Sequence, residues 1–341
     1  MRFPEMERQR LKEILDNIPK LKIAVIGDFF LDKWLEINRS LDEASVETNL
    51  TAYQVTAKRC YAGAAGTVLS NLAALEAGTL YALGFVGDDG EGFELLRILG
   101  GMGADTGGLF TSADVMTPTY TKPVFRTADS LEETHRLDHR NIRPMPFDLE
   151  SKIIDAAWKT AAQADAMIAL DQLTHEGCGV LSPRVRQELA DIGRQYPSLV
   201  LYADSRAFIR HFNDMIIKCN NIEAEKLCGL TDTEQCLLAL AGQSRCPVFI
   251  TCGSKGVMTM GEDGHPVLVP GVSLPPETRI DIVGAGDACT AGIVCALCGG
   301  ASPREAAFIG NLTAALTIQV IGSTGTADRK QVLELYDKYY G

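Results

Sequence analysis

Five short apolar runs, each giving way to a polar or small residue, constrain this chain most. Residues 22–27 read KIAVIG and are followed by Asp28. Similar runs at residues 166–170, 199–203, 215–219 and 248–251 lead to Asp171, Asp204, Asn220 and Gly253. Between them the apolar spacing is helical, as over residues 149–163 and 183–196. Fully apolar strands alternating with helices predict a parallel sheet covered on both faces. Ligands of such sheets bind beyond the carboxyl ends of the strands. The five polar ends are therefore expected along one rim, and that rim is the candidate site. Residues 36–60 and 115–136 break the pattern: they are polar, rich in Thr, Val and Tyr, and have no helical face. They are expected as β-rich segments outside the main sheet, either a small lid over the rim or long surface loops.

The 341 residues allow one large α/β domain with an appendage or two modest domains. A formal net charge of −12 gives no global attraction for nucleic acid or anionic membrane, so neither is an expected partner. A phosphorylated substrate would need local cations. The charged stretch from Met1 to Lys20 lacks the apolar core of a signal peptide, and no uninterrupted apolar run reaches the roughly 18 residues of a membrane span. A cytoplasmic location is the expectation. Most of the ten cysteines sit in apolar runs and read as buried thiols in a reducing compartment. Cys295 and Cys298 form a lone CxxC with no second pair nearby, and the five histidines lack ligand spacing, so no zinc site is expected.

The strongest chemical signal is Asp281-Ile282-Val283-Gly284-Ala285-Gly286-Asp287, leading into an apolar helical stretch. Glycines at a helix start leave N–H groups free beside the positive end of the helix dipole, which suits an anion. Asp287 then lies within one turn of that anion, where a carboxylate can take a proton from an attacking hydroxyl. A plain glycine turn with a capping aspartate is the other reading.

The segment closely resembles the GAGD signature of the ribokinase/PfkB family of carbohydrate kinases. Five further stretches resemble that family in order: Gly27-Asp28 with Leu31-Asp32; Gly63-Ala64-Ala65-Gly66-Thr67 leading to Asn71; Gly84 to Asp89 with Gly92; Asn220-Asn221-Ile222-Glu223; and Thr251-Cys252-Gly253-Ser254-Lys255-Gly256. The opening is especially similar to the heptose-7-phosphate kinase branch. The resemblance spans nearly the whole chain. It implies a single α/β domain over residues 1–341, with a ribokinase-like, doubly wound, mostly parallel sheet flanked by helices and a small β-rich lid.

It further implies ATP-dependent transfer to a hydroxyl of a sugar or sugar phosphate. Asp287 would be the base, and the amides of Gly284, Ala285 and Gly286 would hold the moving phosphoryl group. ATP would lie near Thr251, Gly253, Ser254 and Gly256. Mg²⁺ would be positioned through Asn220 and Glu223 by way of water, and a monovalent cation such as K⁺ near Asp281, Ser323 and Gly325. The acceptor would meet Asp32, Gly63, Thr67 and Asn71, with Asp171 on the same rim. A homodimer through the lid is the expected assembly.

Asn220 and Glu223 also read as a helix capping box, and Gly253 and Gly256 as turn glycines. Ala64 and Thr67 stand where the family more often has Gly and Asn. The latter position touches sugar hydroxyls in the family, which leaves the sugar open. Ile282 and Cys289 stand for its Thr and Phe and alter packing near the cradle, while leaving Asp287 and its glycines intact. Lys122, Arg126 and Arg136 are candidates to grip a phosphate on the acceptor, or else pair with Glu132 and Glu133 across strands. A nucleoside kinase would need a stacking aromatic, for which Phe29, Phe30 and Tyr53 are candidates. A non-catalytic sugar- and nucleotide-binding regulator is the reading from another class. A Walker loop, a G-x-S-x-G elbow and a dinucleotide fingerprint after Ile26 are all absent from the sequence.

Overall fold

The computed structural model describes residues 6–126, 131–244, 246–322 and 324–341. A nine-stranded sheet forms the frame. Its order runs Pro266–Pro270, Gly256–Met260, Val248–Thr251, Ile216–Asn220, Val200–Ser205, Ala166–Asp171, Lys22–Gly27, Thr79–Gly87, Asp105–Ser112. Every pairing from Val248–Thr251 to Asp105–Ser112 is parallel, and the two pairings of Gly256–Met260, with Val248–Thr251 and with Pro266–Pro270, are antiparallel. From Lys22–Gly27 the chain winds first one way and then the other. The point of reversal lies between Lys22–Gly27 and Ala166–Asp171, where the crevice of an open sheet forms.

Successive side chains of the first strand go to opposite faces. Ile23 and Val25 join one core with Val68, Ile293 and Ile309, while Ala24 and Ile26 join the other with Ile153 and Leu189. Helices Ala65–Ala74, Ala285–Cys298 and Pro303–Thr317 thus cover one face, and Phe147–Ala161 and Pro183–Gln195 the other. The five expected strands are all present. Strands Thr79–Gly87 and Asp105–Ser112 escape an apolar-run search because glycines interrupt them and the second is half exposed at the sheet edge. No described helix is long and apolar enough to cross a membrane.

A second sheet is built from Leu137–His139, Thr119–Arg126, Phe29–Ile37 and Val55–Ala64, with Leu131–Glu133 pairing on Thr119–Arg126. Its boundaries differ from the sequence reading. The first arm begins at Phe29, because Phe29, Phe30 and Leu31 belong to the small sheet yet are buried and look like main-sheet residues in sequence. Much of residues 38–54 is loop, carrying only a short turn and the Glu43–Ala44 and Thr51–Ala52 pairing. The second arm extends to His139, and residues 127–130 of it lie outside the described residues.

Asp28 joins the two sheets and does not stand on the rim. Its buried carboxylate accepts N–H groups from Gln172 at 2.9 Å, Leu173 at 3.1 Å and Val180 at 2.8 Å. Asp28 thereby pins the loop after Ala166–Asp171 to the end of the first strand. The approach is close: a Cβ on Gly27 would stand 2.1 Å from the Leu170 carbonyl oxygen.

Candidate active site

A cavity of about 750 Å³ opens where the rim meets the small sheet. Four of the five strand-end positions line it: Asp171, Asp204, Asn220 and Gly253. So do Gly284, Ala285, Gly286 and Asp287. Gly284 caps helix Ala285–Cys298 with φ +81°, a left-handed conformation that favours glycine, and it offers no side-chain cap. A Cβ there would also approach Thr324 to 3.1 Å. The Ala285 amide closes the turn by donating to the Ile282 carbonyl at 3.2 Å, while among the described residues the amides of Gly284, Gly286 and Asp287 have no backbone partner and are left to the cavity, as an anion site requires.

Asp287 lies in the first turn of that helix. Desolvation, with the nearby Asp204 carboxylate adding, pushes its carboxyl up to about 7, while Lys218 and Arg206 oppose the shift. Lys218 and Asp204 are register partners on adjacent strands, and the lysine donates to Asp204 Oδ2. Thr290 Oγ1 donates to the same oxygen at 3.3 Å. Sequence reasoning did not single out Lys218. The available signal was a lysine in the middle of an otherwise apolar strand.

The acceptor side is formed by the small sheet and the start of helix Ala65–Ala74. Asp32, Thr67 and Lys122 line the cavity. Asp32 Oδ1 is buried without a hydrogen-bond partner, and Lys122 Nζ stands 3.6 Å away, beyond hydrogen-bonding distance. Burial raises the Asp32 carboxyl above the usual range. An orphaned carboxylate oxygen at a cavity wall is suited to accept a ligand hydroxyl. Asp171 accepts from Ser205 Oγ at 2.7 Å, and burial beside Asp28 pushes its carboxyl up.

Three expected acceptor residues do not line the cavity. Gly63 makes room for Asp32, since a Cβ on it would meet Asp32 Oδ2 at 3.1 Å. Asn71 is buried one turn along the helix and donates to the Thr67 carbonyl at 2.9 Å. Arg126 is on the surface, paired with Glu36. Arg136 and Arg206 line the wall instead. Arg136 pairs with Asp138 at 2.6 Å and lies over the Tyr120 ring. Arg206 faces the side-chain oxygen of Gln172 at 3.0 and 3.2 Å once that amide is oriented to satisfy both groups. Arg206 was missed, although a cation directly after a strand was a visible cue. Phe29 and Phe30 are core residues, and Tyr53 packs on Phe125. The aromatic ring that lines the cavity is Tyr120, stacked on Phe30.

On the opposite side the cavity is lined by Thr251, Gly253, Ser254 and Gly256. Gly256 has φ +109°, and a Cβ on it would stand 2.1 Å from the Val269 carbonyl oxygen, so the turn itself demands glycine. Asn220 and Glu223 form a reciprocal capping box, with both bonds 2.8 Å, and also line the cavity. The cap fixes the Glu223 carboxylate at the cavity wall. Asp281 lies outside the lining. Its two oxygens accept from Val283 at 3.1 Å and Gly322 at 3.2 Å. Gly325 is buried against the Thr317 carbonyl, and Ser323 lies outside the described residues.

Comparison with protein families matches residues 20–330 to the pfkB family carbohydrate kinases. The chain belongs to the pfkB family. Among curated proteins, this pfkB-family chain is similar to the bifunctional protein HldE of Geotalea uraniireducens, with 26% identity over 97% of this chain and 66% of that protein. It is likewise similar to the bifunctional protein HldE of Wolinella succinogenes, with 29% identity over 96% of this chain and 67% of that protein. The chain thus spans about two thirds of the length of these relatives. Among solved structures, the ribokinase of Arabidopsis thaliana complexed with ribose and ATP superposes with a TM-score of 0.67 at 20% identity, over 92% of this chain and 98% of that one. The ribokinase of Cryptococcus neoformans in complex with ADP superposes with a TM-score of 0.63 at 17% identity, over 92% and 99%. The pfkB-family fold, ribokinase-like with a small lid-like sheet, is the one described above.

Proposed function

We propose that the protein transfers the γ-phosphoryl group of ATP to a hydroxyl of a sugar phosphate, with Asp287 as general base. One observation carries the reading. Asp287 sits in the first turn of a helix whose glycine cap leaves the Gly286 and Asp287 amides open, in a cavity lined by Asp32 and by the Gly253–Gly256 turn. Asp32 would accept from an acceptor hydroxyl through its orphaned oxygen. Asp287 would take the proton of the attacking hydroxyl, and a carboxyl near 7 is poised for that at neutral pH. The amides of Gly284, Gly286 and Asp287 would stabilise negative charge on the phosphoryl group in transit, while that of Ala285 holds the turn. The whole chain would act as one domain, with the small sheet closing over the cavity to exclude water.

A phosphorylated acceptor, of the heptose 7-phosphate type, is favoured by the cavity wall. Lys122, Arg136 and Arg206 converge there in a chain of net charge −12, and such cations suit a phosphate. The nucleoside alternative loses ground, since Phe29, Phe30 and Tyr53 do not line the cavity and Arg136 covers the Tyr120 ring. For Mg²⁺ the donors fit outer-sphere binding. The described residues contain no cluster of three or more ligating side chains, while Glu223 and Asn220 stand at the wall, and Mg²⁺ keeps much of its water and takes phosphate oxygens. When bound it would offset charge on the nucleotide phosphates. A monovalent cation such as K⁺ near Asp281 would use the lone pairs left on its two oxygens, each of which accepts a single backbone N–H group. The small sheet ends on the edge strand Val55–Ala64, a surface that a second copy could cover in a homodimer.

The test is ADP release with Mg-ATP against free sugars, sugar phosphates and nucleosides, with Asp287→Asn as control. Turnover of a sugar phosphate that depends on Asp287 is expected. Preferred turnover of a nucleoside, or turnover indifferent to Asp287, would overturn the proposal.

A further inference from the structure

Lys218 is hard to explain as a stability element. Strand Ile216–Asn220 is central in the main sheet, and its neighbours Ile217 and Cys219 are buried. Lys218 is itself only 5% exposed. Burying an ammonium group costs several kcal/mol, and a buried ion pair is commonly no more stabilising than apolar side chains of the same size. Asp204 therefore accounts for how the lysine is tolerated but not for why it is there.

Its donors and its position suggest a role. An ammonium group carries three N–H donors. Among the described residues the only hydrogen bond of Lys218 Nζ goes to Asp204 Oδ2. That oxygen is also held by Thr290, from the second turn of the helix that Gly284 opens. Lys218 Nζ stands 3.7 Å from where a Cβ on Gly286 would lie, in the middle of the phosphate cradle. Lys218, Gly286 and Asp287 all line the same cavity. At that distance a Cβ there would be in ordinary van der Waals contact with the ammonium, which therefore stands close beside the cradle's own backbone. The cavity is otherwise rich in carboxylates, with Asp32, Asp171, Asp204, Glu223 and Asp287 on its walls. Backbone amides there supply dipoles but no net positive charge.

We propose that Lys218 is a further catalytic residue, which donates its two free N–H groups to the γ-phosphoryl oxygens while Asp204 and Thr290 hold it in place. The proposal rests on the kinase reading above. Lys218 would add a full charge to the amide cradle where negative charge accumulates during transfer. Asp204 is then a positioning residue.

The experiment is calorimetric titration of Mg·AMP-PNP and of Mg·ADP, without acceptor, into wild type, Lys218→Met, Lys218→Arg and the double variant Asp204→Asn/Lys218→Met. Lys218→Met is expected to weaken AMP-PNP about ten- to a hundredfold, the usual worth of a charge-assisted hydrogen bond, with ADP affinity close to wild type. Lys218→Arg should recover part of the loss. The double variant leaves no unpaired buried carboxylate, so it should fold even if the single one does not, and it should show the same γ-selective loss. An equal loss for both nucleotides would make the lysine structural, and no loss for either would remove it from the site. Both outcomes overturn this proposal and leave the kinase reading standing. Wild type that binds neither nucleotide would overturn the kinase reading together with this one.

Discussion

Two helices in this protein begin at glycine- and aspartate-rich turns, and the two starts use their backbone amides in opposite ways. Helix Gly90–Gly101 is capped by Asp89, whose Oδ1 accepts from the Gly92 amide at 2.7 Å. The same carboxylate accepts from Thr117, from its amide at 2.9 Å and its hydroxyl at 2.7 Å. Both oxygens are engaged, and the turn is a structural clamp between helix and small sheet. Helix Ala285–Cys298 is capped by Gly284, which has no side chain to offer, and its aspartate is displaced three residues into the first turn. A carboxylate at the cap satisfies the amides, while one at the third helical position leaves them free and stands beside whatever they bind. Glycine and aspartate content is thus not the signal of a phosphate site; the offset between cap and carboxylate is.

The largest expected effect sets the two aspartates against each other. Asp287→Asn should lower turnover by about 10²–10⁴, the usual worth of a general base, without destabilising the fold. The sign follows from linkage. The folded-state carboxyl is raised to about 7, so the folded protein holds this proton more tightly than the unfolded chain does. Its contribution to stability is lost as pH rises through about 7, and the Asn variant should gain in melting temperature more at pH 8 than at pH 5. Asp89→Ala should do the reverse, costing about 1–2 kcal/mol as a lost cap and leaving turnover near wild type well below the melting point. Melting curves and steady-state rates on both variants would check this. A catalytic loss in Asp89→Ala with unchanged stability would break the comparison.

The parallel sheet was legible in the sequence because buried strands must be apolar on both faces. The rim followed, since polar residues at the ends of such strands have few other places to go. Asp171, Asp204 and Asn220 were placed correctly on that argument, while Asp28 was not. A strand-end aspartate looks the same in sequence whether it faces a cavity or pins a loop, and only the amides of Gln172, Leu173 and Val180 decide. Arg126 and Arg206 show the same limit for cations. Whether a charge is free depends on partners far along the chain, such as Glu36 for Arg126, which local pattern does not reveal.

The second effect concerns pH. Activity should fall about tenfold per unit below pH 7 as Asp287 takes up its proton. The groups facing Asp287 are Asp204, Lys218, Arg206 and Asp32. The rate profile of Asp287→Asn should lack this limb, while that of Asp89→Ala should keep it, since both Asp89 oxygens are engaged away from the cavity. A limb retained in Asp287→Asn would assign the titration to another group.

Next come the arginines, which extend the contrast between engaged and available groups to the acceptor wall. Arg126 is paired with Glu36, outside the cavity. Arg136 is partly engaged by Asp138, and among the described residues Arg206 meets the neutral Gln172 side chain and forms no ion pair. Arg206→Ala should raise KM for a phosphorylated acceptor most, by about tenfold or more for a lost charge-assisted bond. Arg136→Ala should raise it less, and Arg126→Ala should leave it near wild type. The three KM values, measured against an unphosphorylated analogue, would check the order. A dominant effect from Arg126 would mean that the small sheet rearranges when the acceptor binds.

The smallest effect returns to the two helix starts through their glycines. Gly284 needs its left-handed conformation and meets Thr324, whereas a Cβ on Gly90 would find nothing within 4 Å, and Gly90 begins an ordinary helix. Gly284→Ala should therefore cost about 1–2 kcal/mol in backbone strain. Gly90→Ala should stabilise by about 0.4–1 kcal/mol by restricting the unfolded chain. Denaturant melts of both variants would measure the difference. Opposite signs would mean that the cradle keeps a strained backbone for the sake of its exposed amides, while the clamped turn at Asp89 carries no such strain. Equal signs would mean that Gly284 is no more constrained than any helix-opening glycine, and that the free amides there reflect chance rather than a site.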